Sequence, residues 1–429
     1  MEKRKTMLSS QLKTNNLARL KLVVLIIIAQ ANAWAIDADF QTIFESAQKN
    51  SADLKISQAH LNEAVAESGI ANSAFMPKVG IEARNEKFNS EIEDRNQKTA
   101  NIYAEINLFN GFKDVNNRKS QKTNLKISKI QKEKFDLNFE WLAKAKYAKA
   151  YALQEQVSSY KKIIESNLRN LETVKRQKQS GRLSDADFLE FQLFDAKLKQ
   201  DLVRLELDAA TALADLKIFS GLTDIEKLTT KLFPKSVQLS NSEIKTLLNG
   251  DKSRLAESQL RVESLEALKS QVNGNFLPEV NLRATRGSMG FREAEYDPET
   301  VVSLSAKWEL FSGLEDVNRR KQVIAKLSEA QIQYDNDKLS LQSHSEQLLK
   351  QINNIVERLK FEEENQKSVE KFLSTVESEY RRGVKSSSDL KSALDLILAT
   401  SLNRADLRSD YFVSRFELQN LIGQTLQEK

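Results

Sequence analysis

Bond-making chemistry has few candidate residues in this chain. The two histidines, His60 and His344, stand alone, with no His or carboxylate partners at metal-ligand spacing, and read as solvated helix residues. There is no cysteine, which excludes a thiol nucleophile, a Cys-based zinc site and a lipidated N-terminal cysteine. The sequence has no nucleophile elbow, no phosphate-cradling glycine loop and no metal-ligand cluster. These residues point away from an enzyme and call for no metal or cofactor.

What the chain does carry is repetition, which must be recognised before the elements are read. "NLFNGFKDVNNRK" from Asn107 returns as "ELFSGLEDVNRRK" from Glu309, 202 positions later. "FMPKVG" at Phe75 returns as "FLPEVN" at Phe276, and the turn around Gly181 returns around Gly383. "FSGL" at Gly221 is matched by "NLIGQ" at Gly423. The expected organisation is a leader over residues 1–35, a first repeat over 36–221, a connecting irregular lobe over 222–250, and a second repeat over 251–429.

The leader reads as a secretory signal. Lys3, Arg4, Lys5, Lys13, Arg19 and Lys21 precede the apolar run "LVVLIIIA", and "ANAWA" supplies small residues for cleavage after Ala33 or Ala35. The run falls short of the roughly 20 residues that a spanning helix needs. Removing the leader takes away six basic residues and one Glu, leaving 59 Lys/Arg against 59 Asp/Glu. The pI of 8.9 is therefore a property of the leader and gives no support to a nucleic-acid partner.

Glycine and proline punctuate the rest. Neither occurs from Phe112 to Ser180, nor from Leu314 to Arg382. Each run predicts a helix on the order of 100 Å long at 1.5 Å per residue. Leu327, Tyr334, Leu341, Leu348 and Ile355 recur every seven residues, with Ile352 and Leu359 on the same stripe. One helix is expected from Asp39 to Phe75, ended by Pro77. Its copy spans Asp251 to Asn273, ahead of Pro278. Helices capped at Ser184 and at Ser386 to Ser388 are expected to end near Gly221 and Gly423.

Four short segments have a period of two instead. Ile102, Ala104, Ile106 and Leu108 alternate with polar residues, as do Val302, Leu304, Ala306, Trp308 and Leu310. Val79, Ile81 and Ala83, and Val280, Leu282 and Ala284, alternate more weakly. Each segment has about 9 to 11 residues, the length of a tilted strand crossing a bilayer. Gly111 and Gly313 lie where strand gives way to helix, and Pro77 and Pro278 where helix gives way to strand. Four strands cannot close a barrel, and an open edge in lipid leaves backbone groups unpaired. Three copies would supply twelve strands. The expected fold is mainly α with a membrane β-barrel portion: long helices forming an α-barrel tunnel, and four strands per protomer in a trimeric 12-stranded barrel. A periplasmic coiled-coil adaptor or scaffold without a channel explains the helices but not the symmetric strands.

The twofold repeat, "LFNGF" and "LFSGL", "FMPKV" and "FLPEV", and the turns "GRLSDADFLEFQ" and "GVKSSSDLKSAL" together resemble the TolC-like outer-membrane factor family over nearly the whole mature chain. The resemblance implies a homotrimer in outer-membrane lipid, extending into the periplasm. It also implies a periplasmic adaptor protein and an inner-membrane pump or ABC transporter as partners, in efflux or in type I secretion. It places Gly181 and Gly383 at the periplasmic tip turns. For a resting gate it implies a pairing of Asp187 with Tyr380, a basic residue at Lys385 and a pore-facing Asp389. Where one family member has a second acidic ring, this chain has Ser392.

Overall fold

The computed structural model describes residues 36–89, 94–290 and 299–426. The expected leader and parts of both hairpin loops lie outside the described residues. The elements run β1 (Ile36–Ala38), α1 (Phe40–Asn50), α2 (Ala52–Ser73), β2 (Lys78–Asn89), β3 (Asp94–Asn110), α3 (Lys113–Gln179), α4 (Asp185–Ser220), β4 (Ile225–Leu228), α5 (Asn241–Leu248), α6 (Arg254–Asn273), β5 (Glu279–Gly290), β6 (Glu299–Lys307), α7 (Glu315–Arg381) and α8 (Ser387–Ile422). The repeat holds at this level: α3 and α7 both have 67 residues, and α4 and α8 both have 36. Among the described residues no helix is long and apolar enough to cross a membrane.

The chain divides into two compact units. The first takes in Ala143–Phe233 and Leu359–Asp410 as well as α1. Its apolar core includes Tyr160, Phe191, Phe194, Val376, Tyr380 and Leu394. In this unit β1 lies parallel to β4, and Gln154 both donates to the Leu228 carbonyl and accepts from its N–H. The Tyr147 hydroxyl accepts from the Thr230 N–H. The connecting segment is thus less irregular than expected, holding β4 and also α5, whose start is closed by reciprocal Ser240–Glu243 capping bonds.

The second unit takes in Ala52–Leu142, Pro234–Arg358 and Tyr411–Lys429. The expected stripe is buried in it at Leu327, Leu341, Leu348, Ile352 and Ile355. Arg415 lies 4.9 Å over the Trp141 ring and donates to the Leu426 carbonyl at 2.6 Å. This unit also holds one antiparallel sheet in the order β2-β3-β5-β6. The β3–β5 pairing joins the two repeats, and β2 and β6 remain as edges.

Register sorts the sheet by face. Ile81 opposes Ile102, Val79 opposes Ala104, Ala284 lies between Ala104 and Val302, and Leu282 lies between Ile106 and Leu304. The alternate positions carry Glu82, Tyr103, Glu105 and Arg283. The apolar face is bare in the single chain: Val79 is 73% exposed and Ile81 79%.

Three expectations need correcting. The helix expected from Asp39 to Phe75 is two helices, because Ser51 adopts an extended conformation (ψ 125°) between α1 and α2. β6 ends at Lys307, so Trp308 and Leu310 are not strand residues. Lys307 pairs with Glu279, and the residue before that is Pro278, which has no N–H to extend the ladder. Leu108 sits at a register shift between Asn107 and Phe109, so the apolar row passes from Ile106 to Phe109, opposite Val280, instead of through Leu108.

Candidate functional site

Each long helix stops in the same way. The Arg182 N–H donates to the Gln177 carbonyl and the Gly181 N–H to that of Lys178, both at 2.9 Å, with Gly181 at φ 71°. In the copy, Val384 donates to Glu379 and Gly383 to Tyr380, again at 2.9 Å, with Gly383 at φ 79°. This pairing of bonds around a left-handed residue satisfies carbonyls that a helix end leaves open, and glycine adopts it without a Cβ penalty.

The next helix starts within a few residues. Ser184 accepts from the Asp187 N–H at 3.1 Å and donates to the Asp187 carboxylate at 2.7 Å. Ser386 does the same for Asp389, at 3.2 and 2.7 Å, and its own N–H also donates to that carboxylate at 2.9 Å. Backbone and side-chain bonds from Ser386 hold the Asp389 carboxyl below its ordinary pKa, with Lys385, 3.9 Å away, adding to the effect.

Tyr380 is 3% exposed, its ring 6.3 Å from that of Phe191, and its hydroxyl donates to Gln177 at 2.9 Å. Burial pushes the phenol pKa up, and the Asp187 charge pushes it the same way. The direct Asp187–Tyr380 hydrogen bond implied by the resemblance is not formed. Asp187 bonds its own N-cap, and Tyr380 reaches α3 through Gln177.

Further ties join the repeats above the turns. Ser166 donates to Glu377 at 2.8 Å, and Lys391 to Glu190 at 2.9 Å. Nothing local in the sequence marks Gln177, Glu377, Glu190 or Lys391. The signal that was available is the repeat offset, since Glu190 and Lys391 are 201 residues apart.

The junctions are tighter than the sequence suggests. Gly111 and Phe112 both have positive φ (68° and 63°), as do Gly313 and Leu314 (64° and 70°). A Cβ on Gly111 would lie 2.2 Å from the Gly274 carbonyl oxygen, and one on Gly274 would lie 2.3 Å from that of Gly111. Lys113 pairs with Glu279 across this contact. Pro77 and Pro278 each stand one residue before a strand. The Trp308 indole donates to the Phe276 carbonyl at 3.2 Å. Neither histidine is without a carboxylate: His60 lies 3.6 Å from Glu63, and His344 lies 3.1 Å from Glu417, 73 residues away in sequence.

The polar face of the sheet carries an ion-pair cluster. Arg283 on β5 reaches over Tyr103 on β3, with its guanidinium 4.2 Å from the ring centroid. It bonds Glu82 on β2 at 2.7 Å and lies 3.6 Å from Glu105.

The fold recurs in solved structures. The chain is similar to the Campylobacter jejuni CmeC outer membrane channel (TM-score 0.74, 16% identity, covering 91% of this chain and 87% of that one). It is similar to the outer membrane protein VceC from Vibrio cholerae (0.71, 15%, 90% and 97%) and to the open state of the Neisseria gonorrhoeae MtrE outer membrane channel (0.65, 12%, 90% and 90%). No curated protein matches it by sequence. The family model for outer membrane efflux protein matches residues 43–222 and 247–424, one match for each repeat. A channel protein and not an enzyme, the chain belongs to the outer membrane efflux protein family.

Proposed function

We propose that this chain forms a homotrimeric channel-tunnel that serves as the exit duct of a tripartite efflux or type I secretion system. The observation that carries this is the four-stranded sheet. It has one bare apolar face, one charged face and two unpaired edges, β2 and β6. In lipid those edges must be paired, and joining β6 of one copy to β2 of the next satisfies both. Three copies then give twelve strands, with the apolar face toward lipid and the charged face toward water.

On this reading residues 1–35 are a signal peptide, 36–221 and 251–429 are the two repeats, and 222–250 connects them. The helices form a periplasmic tunnel. The turns at Gly181 and Gly383 are its periplasmic tips, and Asp187, Tyr380, Lys385 and Asp389 belong to the resting gate. A periplasmic adaptor and an inner-membrane pump or ABC transporter supply coupling and energy. Pro77, Gly111, Pro278 and Gly313 mark the crossings between barrel and tunnel.

The test is the mass and conductance of the detergent-extracted protein. A trimer that inserts into planar bilayers and conducts ions is expected. A monomer without conductance overturns the reading.

A further inference from the structure

We propose that Arg283, laid over Tyr103 and held by Glu82 and Glu105, sets the ion preference of the barrel lumen. This rests on the closed-barrel reading, because closure is what turns the polar face of the sheet inward.

The cluster is built from the backbone up. Gly80 lies beside Tyr103, and a Cβ there would come within 2.7 Å of the phenol ring. The missing side chain lets Tyr103 lie flat across β2, a use of strand glycine that admits a close neighbour. The flat ring then presents its face to the Arg283 guanidinium, whose charge is attracted by the ring's electron-rich face. Glu82 and Glu105 hold the far end of the same side chain, and Arg84 pairs with Glu82 at 3.1 Å. Arg283 thus spans from β5 across β3 to β2, fixed by a ring below and carboxylates at its edges.

The repeat explains why the pair meets. Counting five residues on from Pro77 and from Pro278 reaches Glu82 and Arg283, so the two occupy one repeat position. The duplicated strands carry opposite charges there, and the pairing joins equivalent positions of the two repeats. In a trimer the layer recurs three times around the water column. Rings of charged side chains of this kind determine which ions a pore admits. Arg283 contacts two carboxylates per chain, and losing it would leave only Arg84 against them, one net negative charge per chain in the layer.

The experiment measures reversal potentials under a salt gradient in planar bilayers, with heat-modifiable migration checked for every variant. Arg283→Gln is expected to raise cation-over-anion permeability by about twofold or more at low ionic strength, with the difference shrinking at high salt. Glu82→Gln with Glu105→Gln is expected to shift the ratio the other way, and Arg283→Lys to leave it near wild type. A conducting wild-type channel whose reversal potential is unchanged by both the arginine and the double carboxylate replacement overturns this assignment alone. A wild-type protein that does not conduct overturns the closed-barrel reading, and this assignment with it.

Discussion

The Tyr380 hydroxyl donates to the Gln177 side-chain carbonyl at 2.9 Å, tying α7 to α3 just before each helix reaches its glycine stop. On the proposed reading of these turns as a gate, opening it by moving the helices apart breaks this bond, and a neutral hydrogen bond is worth about 0.5–1.5 kcal/mol. Gln177→Ala or Tyr380→Phe is expected to raise the open fraction of single channels several-fold. Replacing Asp187 and Tyr380 together is expected to raise single-channel conductance, since the Ser184 hydroxyl then loses its carboxylate acceptor as well, although the backbone N–H cap remains. Conductance unchanged in the double variant would remove both residues from the gate.

Asp389 offers a pH prediction. Its folded-state pKa is held below the ordinary value by the Ser386 bonds and Lys385. A depressed carboxyl stabilises the fold above its unfolded-state pKa of about 3.9, and that contribution is lost as pH falls through the lower folded value. Cation preference due to Asp389 should therefore be flat from neutral pH down to about 4 and decline only below that. Asp389→Asn should weaken the preference at neutral pH. Equal selectivity in wild type and variant would show that the carboxylate does not face the pore.

The two junction glycines should not be equivalent, although the sequence repeats them. Both have left-handed φ, so alanine at either costs about 1 kcal/mol in backbone strain. At Gly313 a Cβ meets nothing within 4 Å, whereas at Gly111 it meets the Gly274 carbonyl at 2.2 Å. Gly313→Ala should assemble nearly normally. Gly111→Ala should lower the temperature at which the oligomer dissociates on gels, or prevent assembly. Similar behaviour of the two variants would show that the Gly111–Gly274 contact is not a constraint.

Arg408 is buried between helices, 3.0 Å from Glu155 and 3.6 Å from Glu363. Removing Glu155 takes away the nearer carboxylate of this buried guanidinium and leaves only the more exposed Glu363 at 3.6 Å, at a cost of about 1–3 kcal/mol. Glu155→Gln should therefore destabilise the folded protein more than Arg408→Met, which removes the charge needing compensation. Thermal loss of the helical circular-dichroism signal distinguishes the two.

Much of this architecture could be read from punctuation and period. Gly181, Gly221, Gly383 and Gly423 mark left-handed helix stops, a role that follows from the absence of a Cβ. The stripe from Leu327 to Ile355 follows from burial on one side, and the alternation from Ile102 to Ile106 from the two faces of a strand. What escaped has a physical reason in each case. Phe112 and Leu314 take positive φ without being glycine, so composition gives no sign of it. The end of β6 is set by what the neighbouring strand can pair, not by β6's own residues. The Ser51 break falls in a polar run with no proline or glycine. Tyr380–Gln177, Arg283–Glu82 and Lys391–Glu190 each join residues about two hundred positions apart, and only folding brings them together. The resemblance pairs Tyr380 with Asp187, whereas its hydroxyl bonds Gln177.

The pairing of β1 with β4 sets an order of events. Ile36 finds its parallel neighbour only when Ile225, 189 positions later, has been delivered. β3 likewise waits for β5, which starts at Glu279. A polypeptide emerging from its N-terminal end must therefore leave the β3 edge of its first hairpin unpaired until the second repeat follows. A version cut short after the first repeat carries that open edge permanently and should aggregate instead of folding into half a wall.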